Sequence, residues 1–217
     1  MNEKEILQKI KLKVFDLLKN ESTGHDYFHI ERVVRNSIAI GLKEKCNLHY
    51  TLQLAYLHDV GDYKLYDGED KTEEKVMEII EEFDYSQAYC SELIKDIHAI
   101  GFKGGFNEKS TKIEVLIVQD ADRLDAMGAI GIARAFAYGG KKGRLLYDPN
   151  LSSEIIGNQL DYQNSQAHTI QHFYDKLLKL KDLMNTETAK ILADRRHNYM
   201  EAFLTEFYRE WNESDLT

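Results

Sequence analysis

The chain runs to 217 residues, and its 28 Lys and Arg against 37 Asp and Glu leave a formal charge of −9. That balance excludes a basic footprint for duplex nucleic acid, although a metal ion or a few placed cations can still draw an anionic small molecule. With one proline, 13 glycines and 43% hydrophobic residues, the composition favours one helical domain with a real core over a turn-rich β-sandwich.

Apolar spacing sets the elements in order. Ile6, Ile10, Val14 and Leu17 recur at helical intervals, which predicts an amphipathic helix over residues 3–19. A second helix is expected from Asp26, its N-cap, to Lys45, with Ile30, Val33, Val34, Ile38 and Leu42 as the apolar stripe. Residues 48–60 are nearly all apolar and read as a helix buried on most sides, ended by Gly61 and Asp67-Gly68. Asp70 with Glu73 marks a capped start for a helix to about Phe83, and another helix spans 86–99. Ile113–Val118 has the composition of a buried strand, but the spacing Ile113, Leu116, Ile117, Asp120, Leu124 favours helix, continuing to Tyr138 with a break near Gly128. From Gly139 to Asn164 the pattern collapses into a loop long enough to be functional. Two helices, about 165–184 and 187–211 with Thr186 as cap, close the chain. Nothing divides it, so a single all-α domain over 1–217 is expected. Cys46 and Cys90 form no spacing pattern, which suits a reduced, cytoplasmic setting. No apolar stretch reaches the roughly 20 residues of a membrane span, and MNEKEILQKIKLKVF has no signal-peptide core, so no membrane partner is expected.

Three short stretches concentrate chemistry. In LAYLHDVGD, His58-Asp59 ends a buried helix, where an ionisable pair is costly unless it is paired or ligates a metal. A polar helix end at the surface is the alternative. In GHDYFHIERV, His25, His29 and Arg32 at i, i+4 and i+7 point two imidazoles and a guanidinium from one helical face. Imidazole suits a transition metal and guanidinium a phosphate, while a solvated polar stripe is the alternative. In VQDADRLDAMGAIGIAR, Asp122 and Asp125 share a face with Val115 and Val118, and Asp120 lies on another. Asp122 is best placed to reach a buried centre, and Asp125, one turn on, to orient a ligand or an arginine.

The order His29 … His58-Asp59 … Asp122 is an H…HD…D pattern. With HDYFHIERV, LHDVGD, QDADRLDAMGAIGIARAFAYGG and HFYDKLLKLKD … TETAK … RRHNYM, the chain resembles the HD superfamily of metal-dependent phosphohydrolases along nearly its whole length. Within that superfamily it is most similar to a bacterial subfamily of nucleoside triphosphate pyrophosphohydrolases. The resemblance implies an all-helical HD bundle, with a metal-binding core over about 20–138 and C-terminal helices over about 165–211. It also implies His29, His58, Asp59 and Asp122 as ligands of one divalent ion, whether Mn, Mg, Co, Ni or Fe. Such a set leaves open positions on an octahedral ion for water and substrate oxygens.

Asp62 falls where several HD nucleotidases carry a glutamate that orients or deprotonates the attacking water; a turn residue at a helix end is the alternative. His98, in DIHAIGF, is a candidate to contact phosphate or protonate a leaving group, or else a structural histidine bonded to a carbonyl. A full two-metal site needs further histidines, and only His98 stands out. Arg32, Lys64, Arg123, Arg134, Lys141, Lys142 and Arg144 are the cations for a polyanionic substrate. The last three lie in the glycine-rich loop, which is expected to be a mobile lid folding over phosphates, a solvated basic loop being the alternative. His168, His172 and His197 read as packing or surface residues. The expected activity is (deoxy)nucleoside triphosphate pyrophosphohydrolysis by a monomer or homodimer. A 5′-nucleotidase, a cyclic-nucleotide phosphodiesterase and a metal-stabilised nucleotide-sensing module are the alternatives; a di-iron oxygenase would need ligands that cannot be placed here.

Overall fold

Several helix starts in this chain are set by side-chain caps. Asn2 and Glu5 form a reciprocal capping box at the start of α1 (Glu3–Leu18). Asp26 accepts the His29 N–H at 2.8 Å and opens α2 (Tyr27–Glu44), and Asn47 opens α3 (Leu48–Leu57) in the same way. Then follow α4 (Thr72–Ile80), α5 (Gln87–His98), α6 (Ile113–Asp125) and α7 (Gly128–Lys141). The chain closes with α8 (Thr169–Asp175), a 3-10 segment (Leu177–Leu183) and the long α9 (Glu187–Trp211), capped by Thr186. These elements come from a computed structural model, which describes residues 1–21, 26–63, 65–66, 68–101, 110–150 and 168–212. Among the described residues there is no strand, and no helix is long and apolar enough to cross a membrane.

The core is a bundle in which α2 packs against both α6 and α3, with α1 across α3 and α9 across α7 and α6. Ile30, Val33 and Ile40 of α2 meet Leu54 and Leu57 of α3 and Val115, Val118 and Ala121 of α6, all fully buried. Each such aliphatic side chain contributes roughly 1.5–3 kcal/mol by leaving water. Because α6 sits in the middle, its polar positions are buried too: Gln119, Asp120 and Asp125 all lie inside. Every one of those groups needs an internal partner.

Several boundaries move relative to the sequence expectation. The third helix stops at Leu57, so His58 and Asp59 stand in the turn that follows it. That turn is tight: Lys71 donates to the Gly61 carbonyl at 2.9 Å, and a Cβ at Gly61 would lie 2.3 Å from Thr72 backbone atoms. Asp70 accepts from the Thr72 N–H, but Lys71 occupies the cap position of α4. The expected break near Gly128 is real, and Gly128 takes a φ of +68° there, closing against Arg196. The helix expected over 165–184 is divided, with Lys176 (φ −134°) between α8 and the 3-10 segment. Finally, α7 runs on through Gly139 and Gly140 to Lys141 instead of dissolving at 139. Gly139 is pressed against α8, where a Cβ would meet the Thr169 hydroxyl at 2.3 Å, so this glycine serves close packing.

Candidate metal centre

Three segments converge at one place: the first turn of α2, the turn after α3, and the last turn of α6. His29, His58 and Asp59 are buried, and their ligand atoms lie within 4.8 Å of one another. His29 Nε2 is 3.4 Å from Asp59 Oδ2 and 3.5 Å from Asp122 Oδ1, so Asp122 joins the same cluster from α6. His58 Nε2 lies 3.6 Å from Asp59 Oδ2 and is a buried nitrogen with no hydrogen-bond partner among the described residues.

Tautomers follow from the opposite side of each ring. His58 Nδ1 is 2.9 Å from the Ala55 carbonyl, which can only accept, so in the neutral ring Nδ1 carries the proton and Nε2 the lone pair. His29 Nδ1 is 2.7 Å from Asp125 Oδ2, with the same consequence. A metal-ligating imidazole is ordinarily held this way by a second partner. Two lone pairs facing two carboxylates repel unless a cation sits among them, and nitrogen with oxygen donors suits a divalent transition metal. The residues therefore fit a single divalent ion.

Without an ion, the same closeness couples the titrating groups to one another. Burial and the Arg134 charge push His29 down, but hydrogen bonding to Asp125 and the nearby Asp59 raise its pKa on balance. Burial would raise Asp122, yet the two imidazoles and Arg134 bring it below the ordinary carboxylate value. Asp125 is likewise penalised by burial, and its bonds from His29 and Arg32, with Arg134 beside it, hold the carboxyl well below the usual range. Besides His29, Asp125 accepts from Arg32 Nε (2.6 Å) and Nη2 (3.0 Å) and from Arg134 Nη1 (2.8 Å).

Other candidates fall in different places. Asp62, in the turn after Asp59, donates its N–H to the Asp59 carbonyl at 3.1 Å. His98 ends α5, with Nδ1 3.9 Å from Asp70 and its side chain 40% exposed. Lys141 is 3.6 Å from Glu21, while Lys142 and Arg144 each stand 5.8 Å from the Tyr138 ring centroid. Downstream, Leu145 and Leu146 accept from Thr169 and Ile170, and Tyr147 packs on His168 and Trp211, which pins the start of the expected lid. Its remainder, 151–167, lies outside the described residues, as do Lys64 and His25. Within α2, which starts at Tyr27, His29 and Arg32 share one face.

Arg123 is a correction. It sits one residue from Asp122 and therefore about 100° around the helix, where it donates to the Leu183 carbonyl at 2.5 Å and lies 3.6 Å from Asp120. Its side chain is spent on the C-terminal segment, not on an anion at the metal cluster. Sequence reasoning also missed the Ala55 carbonyl, which gives no signal in any sequence. Arg196 of RRHNYM was legible only as part of a motif; it donates to the Leu124 carbonyl at the end of α6.

An all-helical bundle that gathers His29, the His58-Asp59 pair and Asp122 around one point defines a metal-dependent phosphohydrolase of the HD class. The HD domain family matches residues 26–127, the span from the α2 cap to the end of α6. Among relatives, YpgQ of Bacillus subtilis is 37% identical over 212 residues, covering 97% of this chain and 96% of that protein. A crystal structure from Lactobacillus plantarum superposes with a TM-score of 0.88 at 34% identity, covering 98% of this chain and all of the other. An HD-superfamily hydrolase from Bacillus thuringiensis gives 0.74 at 40% identity, with 97% and 99% covered. YpgQ has itself been crystallised with ADP, and that structure superposes with a TM-score of 0.74 at 34% identity over 97% of each chain. The chain belongs to the HD superfamily.

Proposed function

We propose that the protein hydrolyses nucleotides, cleaving a (deoxy)nucleoside triphosphate to the monophosphate and pyrophosphate. One observation carries the reading: His29, which stands in a cluster with His58, Asp59 and Asp122, shares a carboxylate, Asp125, with two guanidiniums whose side chains are partly exposed, Arg32 and Arg134. Metal ligands and phosphate-binding cations thus stand side by side. The YpgQ complex with ADP supports a nucleotide as the ligand class.

A divalent ion, when bound, acidifies water and neutralises phosphoryl oxygens. The chain's own groups divide the remaining tasks. Asp62 takes the proton of the attacking water, whose oxygen bonds to the α-phosphorus as the bond to the α–β bridging oxygen breaks. Arg32 and Arg134 hold the charge that spreads over the phosphoryl oxygens. His98 supplies a proton to the leaving pyrophosphate, and Lys64, Lys141, Lys142 and Arg144 attract the polyphosphate tail. The setting is cytoplasmic.

The test is a screen of nucleoside mono-, di-, tri- and cyclic phosphates with Mn²⁺, Mg²⁺, Co²⁺ and Ni²⁺, with products separated by chromatography. Pyrophosphate with monophosphate is the expected outcome. Orthophosphate from monophosphates would make it a 5′-nucleotidase, and ring opening a cyclic-nucleotide phosphodiesterase. Nucleotide binding without turnover under all four metals would leave a sensing module.

A further inference from the structure

Asp125 is only 2% exposed, and its side-chain hydrogen bonds among the described residues run to other helices. Its Oδ2 meets His29 Nδ1 (2.7 Å), Arg134 Nη1 (2.8 Å) and Arg32 Nη2 (3.0 Å), while Oδ1 meets Arg32 Nε (2.6 Å). One carboxylate therefore ties α2, α6 and α7 together. Two guanidinium charges meet a single carboxylate charge, which leaves a cationic excess beside the metal cluster. The arginine side chains keep 27% and 18% of their surface, and Asp125 occupies only part of each fork. A guanidinium pinned by one edge offers its other edge in a fixed direction, the arrangement that suits a phosphate oxygen.

We infer that Asp125 is a positioning residue that sets, with one side chain, both the metal ligand His29 and a phosphate-binding pair, Arg32 and Arg134. The inference rests on the ligand assignment proposed above and adds the link between metal and anion. Asp125→Asn keeps the shape but replaces one acceptor oxygen with an N–H donor. Whichever way the amide turns, at least one of His29, Arg32 and Arg134 then faces a donor.

Two binding measurements read the two arms apart from turnover: Mn²⁺ titration without anion, and pyrophosphate titration of the chelator-treated protein. Asp125→Asn is expected to weaken Mn²⁺ by about 10–100-fold, the usual cost of losing a ligand's orienting partner. Pyrophosphate should weaken by about tenfold or more in the same variant, and also in Arg134→Gln and Arg32→Gln, whose Mn²⁺ affinity should hold. Asp120→Asn, on the same helix, should leave both affinities unchanged. Mn²⁺ binding by Asp125→Asn within about threefold of the parent would overturn the inference, as would an equal loss in Asp120→Asn, since that would mark general damage to α6. If Asp125→Asn does not fold, the arginine variants still decide, because unaltered pyrophosphate binding in both removes the anion arm. A parent protein that binds no Mn²⁺ would instead overturn the ligand assignment, and this inference with it.

Discussion

Asp120 and Asp125 stand five residues apart on α6, both buried, and their surroundings neutralise them by different means. Asp120 accepts from the Asn185 backbone and amide and from the Thr186 backbone and hydroxyl, at 2.8–2.9 Å. Those donors carry no charge, Arg123 stands off at 3.6 Å, and burial leaves the Asp120 pKa raised. Asp125 draws its partners from an imidazole and two guanidiniums, and its pKa falls. Dipoles from the start of α9 make Asp120 a joint between the C-terminal helix and the bundle. Cations whose side chains stay partly exposed surround Asp125, which is what the proposed positioning role requires. A buried charge is therefore read by its partners, not by its burial.

The contrast requires that α6 face a metal centre on one side only. Asp59→Ala is the most severe test of that centre: bound Mn²⁺ and turnover should vanish while far-ultraviolet dichroism stays helical. Retention of metal and full activity after dialysis against chelator would remove the centre and half of the comparison. Next in size, Asp62→Asn should keep its metal and lose roughly 10²–10⁴-fold in kcat, the range of a general base. A smaller loss, under about tenfold with metal content unchanged, would make Asp62 a turn residue only.

Asp120→Asn sharpens the other half. Stability in urea should fall by about 1–3 kcal/mol, because buried donors at the α9 start lose an acceptor, while kcat/KM at saturating metal stays near the parent value. A loss of activity without a loss of stability would erase the distinction between the two aspartates. The smallest effect concerns His168, which caps α8 by accepting the Gln171 N–H at Nδ1, 2.9 Å away. Burial lowers its pKa from the ordinary 6.5, against the pull of Asp148 and Asp175. The unfolded chain then binds the proton more readily, so this stabilisation is complete above that ordinary value and is lost as the pH falls below it. Between about pH 7.5 and about 5.5 the cap should cost about 1 kcal/mol or less, and His168→Asn should flatten that part of the Tm profile. An unchanged slope would show that the cap does not titrate.

Most of the helices were legible because apolar periodicity and capping residues act locally: Asp26, Thr186 and the break at Gly128 stand where the sequence puts them. The H…HD…D order named the residues that meet at the cluster, and the one-turn spacing from Asp122 to Asp125 marked a second inward carboxylate. Periodicity fixes which residues share a helix face, since that depends only on 3.6 residues per turn. Which faces meet is a matter of packing between distant segments. Nothing local separates Arg123 from Arg134; the first turned to the Leu183 carbonyl and the second to Asp125 because they leave different helices and meet different neighbours. Tertiary structure alone likewise chose the Ala55 carbonyl as the partner of His58, bound Asp120 to Thr186 across 66 positions, and gave three neighbours to one carboxylate. Sequence by itself determined the helices and the residues with chemical capacity. The partners of each buried charge were settled only when the helices closed on one another and water could no longer serve.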